Sequence, residues 1–200
     1  MKILVATNNS GKLAEFQRLL NIPGLELVIP NNTGLGKFDV EETGQTFVEN
    51  ASLKAIAFAK ESGLPALADD SGLEVDALGG KPGIFSKRYA GENATDSDRI
   101  AYLIQELEGI SLQNRAARFV AVLVLANPDG HILASCTGYC DGKIGLEARG
   151  TRGFGYDPIF YPDEMPGRTM SELSNMEKDE VSHRGKAVRK MALLLKELLF

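Results

Sequence analysis

Eight consecutive apolar residues, Phe119 to Ala126, run straight into the turn sequence Asn127-Pro128-Asp129-Gly130. A bilayer-spanning helix needs about 20 apolar residues, so this run, the longest in the chain, is far too short to span one and belongs to a core; no membrane partner is expected. With its flanking residues it reads as a strand, Ala117 to Ala126. The Asn-Pro-Asp-Gly sequence sets up a tight reversal. It sends the chain back into a strand near Ile132 to Thr137 and predicts antiparallel pairing.

Elements of both periodicities surround that hairpin. Lys2 to Thr7 is β-rich and stops at Asn8-Asn9-Ser10-Gly11, after which Lys12 to Leu20 places Leu13, Phe16, Leu19 and Leu20 at helical spacing. Leu25 to Ile29 predicts a second strand. Thr46 with Glu49 three residues later forms a capping box, opening a helix through Phe47, Ala51, Ala55 and Phe58 to a stop at Gly63. Leu64 to Ala68 reads as a short buried strand ending in Asp69-Asp70-Ser71-Gly72, and Leu73 to Leu78 alternates like a half-exposed strand. A further amphipathic helix covers Thr95 to Leu107, with Thr95 and Asp98 as its capping pair. The last helix, Ser182 to Leu199, puts Ala187, Met191, Leu194 and Leu198 on one stripe. Strands alternating with helices, plus one hairpin and no internal repeat, make a mixed-sheet α/β protein.

At roughly 150 residues per domain, 200 residues with 44% hydrophobic and 24% charged composition fit one compact domain and exclude disorder. The net charge is −5, and no run of Lys or Arg exceeds two residues. Non-specific nucleic-acid binding rests on a basic stripe, so no nucleic-acid partner is expected. A small polyanion stays open, provided a few lysines converge and a divalent cation assists. Ile3 to Ala6 is too short an apolar stretch for a signal peptide, which makes the cytoplasm the expected compartment. Cys136 and Cys140, about 13 Å apart on an extended strand, are too distant to bridge and are expected as free buried thiols.

Familiar phosphate and metal motifs are missing. Gly34-Leu35-Gly36 is followed by Asp39 where a dinucleotide fingerprint needs its third glycine. Gly138 to Lys143 is one residue short of a P-loop and lacks the following Ser or Thr. With histidines only at 131 and 183, and cysteines without partners, a zinc site has little support.

Five clusters carry chemistry, the first four each with a structural alternative. The loop Thr7-Asn8-Asn9-Ser10-Gly11-Lys12 offers a helix N-terminus and an ammonium to phosphate, or simply caps the helix with Asn or Ser. Asp69 and Asp70 are strand neighbours that face opposite sides. One of them, with one of Glu41 and Glu42, would supply the carboxylates Mg²⁺ needs beside substrate phosphates, or the pair forms an Asx turn. Lys54, among Leu53, Ala55, Ile56 and Ala57, reaches an anion or snorkels to solvent. Gly153-Phe154-Gly155-Tyr156-Asp157-Pro158 offers aromatics to stack on a base and a carboxylate for its edge, or is a glycine-rich turn with its rings in the core. Lys178 and Ser182-His183-Arg184 add cations and donors where the last helix begins.

Eight segments in this order resemble the inosine/xanthosine triphosphate pyrophosphatase family, the noncanonical purine NTP pyrophosphatases. They are Thr7 to Lys12, Glu41-Glu42-Thr43-Gly44, Phe47 to Ala51 with Lys54, Ala68 to Leu73, Gly79-Gly80-Lys81-Pro82-Gly83, Arg88-Tyr89-Ala90-Gly91, Gly153 to Pro158 and Ser182-His183-Arg184. The resemblance spans essentially the whole chain; Phe85 stands where a tyrosine is usual. It implies an α/β fold with an elongated mixed β-sheet flanked by helices in two lobes, the nucleotide site lying in the cleft between them. It further implies Mg²⁺-dependent hydrolysis of ITP, dITP and XTP to the monophosphate and pyrophosphate by a homodimer that cleanses the nucleotide pool. On the same resemblance, Thr7, Asn8, Asn9, Ser10, Gly11, Lys12, Lys54 and Lys178 would hold phosphates. Glu41 and Asp70 would hold the metal, and Asp70 would also accept the proton of the attacking water. Ser71, Phe154, Gly155, Tyr156, Asp157, His183 and Arg184 would contact the nucleotide. The rival readings are a Maf-type pyrophosphatase of modified pyrimidine nucleotides and a non-catalytic nucleotide-binding regulator.

Overall fold

The protein, described by a computed structural model over residues 1–199, builds one six-stranded sheet in the order β2-β1-β3-β4-β5-β6. The strands are β1 (Lys2–Val5), β2 (Glu26–Val28), β3 (Ala66–Val75), β4 (Ala116–Ala126), β5 (Ile132–Ile144) and β6 (Phe160–Pro162). The helices are α1 (Ser10–Leu19), α2 (Phe47–Ser62), α3 (Asp96–Glu106), α4 (Asn175–Val181) and α5 (His183–Leu199). Strand β1 pairs parallel with both β2 and β3, and β5 pairs antiparallel with β6. This is the mixed sheet flanked by helices that the alternating periodicities predict.

Local chemistry sets the element ends. Thr46 and Glu49 form the expected capping box at the start of α2, and Gly63 closes it in the left-handed conformation. Thr95 and Asp98 cap α3 in the same way. Strands β4 and β5 are sheet neighbours joined by the Asn127 to Gly130 turn, where the Gly130 N–H donates to the Asn127 carbonyl.

Two compact units share the chain. The first comprises Met1–Asp70, Ala121–Gly138 and the segment from Arg184 onward; the second comprises Ser71–Val120 and Tyr139–His183. In the first, Ile3, Val5, Phe16, Leu67, Leu123, Leu125, Met191 and Leu195 are buried together. In the second, Leu73, Leu103, Leu107, Phe119, Ile144, Phe160 and Met170 form the core. Both cysteines are free thiols; Cys140 is buried and Cys136 half-buried.

Several elements differ from the expectation. Asp69-Asp70-Ser71-Gly72 is not a turn between two strands but the middle of the single strand β3. Its polar residues override the turn signal because the two carboxylates find cationic partners, the buried Arg184 and the half-buried Lys12 and Lys54. Strand β5 extends well past Thr137 to Ile144. The last helix begins at His183, because Ser182 is extended at φ −66° and ψ 153° and its N–H donates to the Lys178 carbonyl, ending the separate helix α4. The buried stripe of α5 is Ala187, Val188, Met191 and Leu195, while Leu198 is exposed.

Leu123→Ala, which empties a fully buried site in β4, is expected to cost about 2–5 kcal/mol of stability by urea denaturation. In α4, Arg168 and the Ser174 cap hold the Glu177 carboxyl down from 4.5 to about 2. Its contribution is therefore fully present above pH 4.5 and is lost as pH falls through about 2. Thermal melts of wild type and Glu177→Gln should differ at neutral pH and converge across that acid range.

Candidate functional site

In the first unit, parallel β1 and β3 bring two chain segments side by side, with the Ala6 N–H donating to the Leu67 carbonyl. The chain leaves β1 through Thr7 and Asn8, and Asn9 caps α1 by accepting the Lys12 N–H at 3.0 Å. The Thr7 hydroxyl accepts the Asn9 N–H at 3.2 Å, and the Asn8 amide donates to the Phe38 carbonyl. The cap expected from sequence is thus present, and Asn8, Asn9 and Ser10 are exposed at the mouth of the helix.

Adjacent residues on a strand face opposite sides, and Asp69 and Asp70 accordingly meet different partners. Asp69 Oδ2 lies 2.7 Å from Lys12 Nζ and 3.2 Å from Arg184 Nε. Arg184 Nη1 reaches Glu15 Oε2 at 2.5 Å, and Asp69, Glu15 and Arg184 are all buried. Burial opposes ionisation of Asp69, but the Arg184 guanidinium and the Lys12 ammonium outweigh it and hold the carboxyl well below the usual range.

Asp70 faces helix α2. Lys54 Nζ sits 3.3 Å from Asp70 Oδ1, 2.8 Å from the Asp69 carbonyl and 2.9 Å from Glu42 Oε1. Lys54 does not snorkel to solvent; it gathers two carboxylates, and their charges raise its pKa against the effect of burial. For Asp70 burial is the larger influence, and its carboxyl is pushed up despite Lys54. The second oxygen, Asp70 Oδ2, is buried without a hydrogen-bond partner. Glu41 is exposed, and its carbonyl accepts the Thr43 N–H.

Those oxygens suit a hard divalent cation. Mg²⁺ is usually held by one or two carboxylates, with phosphate oxygens and water completing the shell. Among the described residues no group of three or more His, Cys, Asp or Glu could hold an ion by itself. Asp70 Oδ2, with lone pairs uncommitted to the protein, beside the Glu42 carboxylate fits a cation that arrives with phosphates.

In the second unit, Asp157 organises the glycine-rich loop. Its Oδ2 accepts the Phe154 N–H at 2.9 Å and the Lys178 ammonium at 2.6 Å, while Lys178 Nζ stands 4.8 Å from the centre of the Phe154 ring. Gly153 has φ +77°, and a Cβ there would fall 2.0 Å from Asp157 Oδ2, so only glycine fits this turn. The Gly155 N–H donates to Asp96 Oδ2 of α3 at 2.7 Å. Tyr156 points its hydroxyl to the Ser86 carbonyl at 2.9 Å, and burial raises its pKa. His183 is buried with its ring stacked on Phe119 at 4.7 Å, Ser182 is buried, and Ser71 is half-buried.

Of the residues singled out from sequence, Lys12, Glu42, Lys54, Asp69, Asp70 and Arg184 come together in the first cluster and Phe154, Asp157 and Lys178 in the second, while Glu41, Asn8 and Ser10 are exposed. Glu15 and Asp96 belong to them as well but escaped the sequence reading, since each looks like an ordinary polar position in the first or second turn of a helix. Only the long-range partners Arg184 and Gly155 distinguish them.

Comparison with known proteins places these features in a family. The model of the Ham1 family matches residues 3–194. A protein from Coxiella burnetii called dITP/XTP pyrophosphatase is 47% identical over 98% of each chain. One of the same name from Shigella flexneri is 50% identical over 94% of each. Among solved structures, a HAM1 protein from Coxiella burnetii superposes with a TM-score of 0.88 at 45% identity, covering 98% of this chain and 99% of that one. The Staphylococcus aureus Ham1 protein does so at 0.86 and 40% identity, covering 99% and 100%. Matched almost end to end in sequence and in fold, the chain belongs to the Ham1 family.

Proposed function

We propose that this protein is a nucleoside triphosphate pyrophosphatase that converts noncanonical purine nucleotides, dITP, ITP and XTP, to the monophosphate and pyrophosphate. The observation that carries the reading is Asp70: a buried carboxylate held above its ordinary pKa, with one oxygen on Lys54 and the other without a hydrogen-bond partner. The relatives from Coxiella burnetii and Shigella flexneri, called dITP/XTP pyrophosphatases, support the substrate class.

Water attacks the α-phosphorus as Asp70 accepts its proton, the bond to the β-phosphate bridging oxygen breaks, and pyrophosphate leaves. A carboxylate of raised pKa is a better proton acceptor than an ordinary one, and such general-base catalysis is worth about 10²–10⁴-fold. The α1 N-terminal loop from Thr7 to Lys12, with Lys54 and Lys178, holds the triphosphate. Asp70 and the Glu41-Glu42 pair would hold Mg²⁺, which when bound neutralises charge on the phosphates and the leaving pyrophosphate. In the second unit, the nucleotide contacts are Ser71, Phe154 to Asp157, and His183. Arg184, held in place by Glu15 and Asp69, is a further nucleotide contact. Hypoxanthine and xanthine carry an oxygen at position 6 where adenine carries an amino group. A donor aimed there is left unpaired by ATP, a mismatch that costs about 1–3 kcal/mol. The acidic net charge fits a free nucleotide rather than nucleic acid as the substrate, and the resemblance to the pyrophosphatase family supports a homodimer as the active species.

Pyrophosphate release measured across dITP, XTP, ITP, GTP, ATP, dTTP and UTP should favour the first three, require Mg²⁺, and stop on chelation. Preference for a pyrimidine, or equal use of ATP, would refute the substrate assignment. Asp70→Asn should lose at least about 100-fold in kcat while still binding dITP. Equal, near-zero turnover in both proteins would instead indicate a nucleotide-binding regulator. Light scattering should give a mass of about twice 21.6 kDa.

A further inference from the structure

Asn50 is fully buried in the first turn of α2, one helical turn before Lys54 and on the same side of the helix. Its Oδ1 accepts the Gly44 N–H at 2.8 Å. The next two N–H groups, of Gln45 and Thr46, both donate to Glu49 Oε2, at 2.7 and 3.1 Å. Three successive backbone donors of the segment entering α2 are thus fixed by side chains of its first turn. Two residues upstream of Gly44, the Glu42 carboxylate is taken by Lys54. The approach at Gly44 is close: a Cβ there would lie 2.6 Å from Asn50 Oδ1 and 2.7 Å from Glu49 Cβ, so a side chain at 44 would push the segment off the helix.

We infer that Asn50 is a positioning residue for the acidic pair Glu41-Glu42, setting by its bond to Gly44 where those carboxylates stand relative to Lys54 and Asp70. The inference rests on the nucleotide pyrophosphatase reading of that cluster. Geometry favours this role over a plain helix cap. The cap of α2 is already complete in Thr46 and Glu49. Asn50 adds nothing to it, yet keeps its Nδ2 donor buried and unpartnered, an unfavourable arrangement that a merely structural position would shed. Aspartate would also accept from Gly44, but would set a third negative charge one turn from the two carboxylates on Lys54. Asparagine supplies the acceptor without the charge.

The test is a Mg²⁺ titration of dITP turnover in full-length wild type, Asn50→Ala, Asn50→Asp and, as a stability control, Leu195→Ala. Asn50→Ala should raise the half-saturating Mg²⁺ about 10–100-fold, with kcat recovering at saturating Mg²⁺. Leu195→Ala, in the first unit's core, should lower Tm without moving the curve. Amide exchange supplies a readout independent of activity: Gly44 protection should be lost in Asn50→Ala and kept in Asn50→Asp, while amides later in α2 stay protected. A Mg²⁺ curve for Asn50→Ala that matches wild type, or Gly44 protection unchanged in Asn50→Ala, overturns the inference. Wild type without Mg²⁺-dependent dITP turnover overturns the functional reading instead, and Gly44 exchange then still decides whether Asn50 holds the loop.

Discussion

Asp69 is a carboxylate in the middle of a buried strand, and the first unit is arranged to keep it ionised. Lys12 from α1 and Arg184 from α5 converge on its Oδ2, and Arg184 is itself held by Glu15. An uncompensated buried charge costs several kcal/mol, and removing one partner of a buried pair typically costs about 3–5 kcal/mol. The ends of α1 and α5 are therefore committed to β3 by charge as well as by the apolar contacts of Phe16, Met191 and Leu195. That commitment also frees Asp70. With Lys12 and Arg184 bonded to Asp69, the cation that pairs directly with Asp70 is Lys54, which it shares with Glu42.

The division of labour between the two aspartates follows from the period of a β-strand. Neighbouring side chains on β3 enter different environments, and the signs of their pKa shifts diverge: Asp69 is driven down by two cations, whereas burial drives Asp70 up. A pair of acidic groups pushed apart in this way is a common signature of acid–base assignment. One carboxylate is a fixed structural charge; the other, with its raised pKa and an oxygen without a hydrogen-bond partner, suits the proton acceptor proposed above.

In the second unit, Asp157 plays the organising part. One oxygen accepts a loop N–H and an ammonium, and Gly153 is required because that oxygen occupies the space a side chain would take. The loop is fixed again through Gly155 on Asp96 and through Tyr156 on Ser86. The loop that carries Phe154 is thereby hydrogen-bonded at several points, an arrangement that suits the nucleotide contact proposed above.

Much of this was legible in the residues. Helix starts at Thr46 and Thr95, the turn after Ala126 and the helical spacing of the early segments are local properties, governed by caps, glycine and periodicity over a few residues. The resemblance of eight ordered motifs carried the family. The environment of each charge was not legible. Asp69-Asp70-Ser71-Gly72 has every local mark of a turn, yet runs as strand because Lys12, Arg184 and Lys54 arrive from elsewhere in the chain. Glu15 and Asp96 gave no sign of their partners, and the local pattern around Lys54 left open whether it reaches an anion or snorkels to solvent. Caps, turns, periodicity and the chemical groups available could be read from the residues. Which carboxylate is neutralised, which keeps a raised pKa and which lysine gathers Glu42 and Asp70 followed from the fold, because burial and the partners Arg184 and Glu15, more than a hundred residues apart in the chain, are set only by packing.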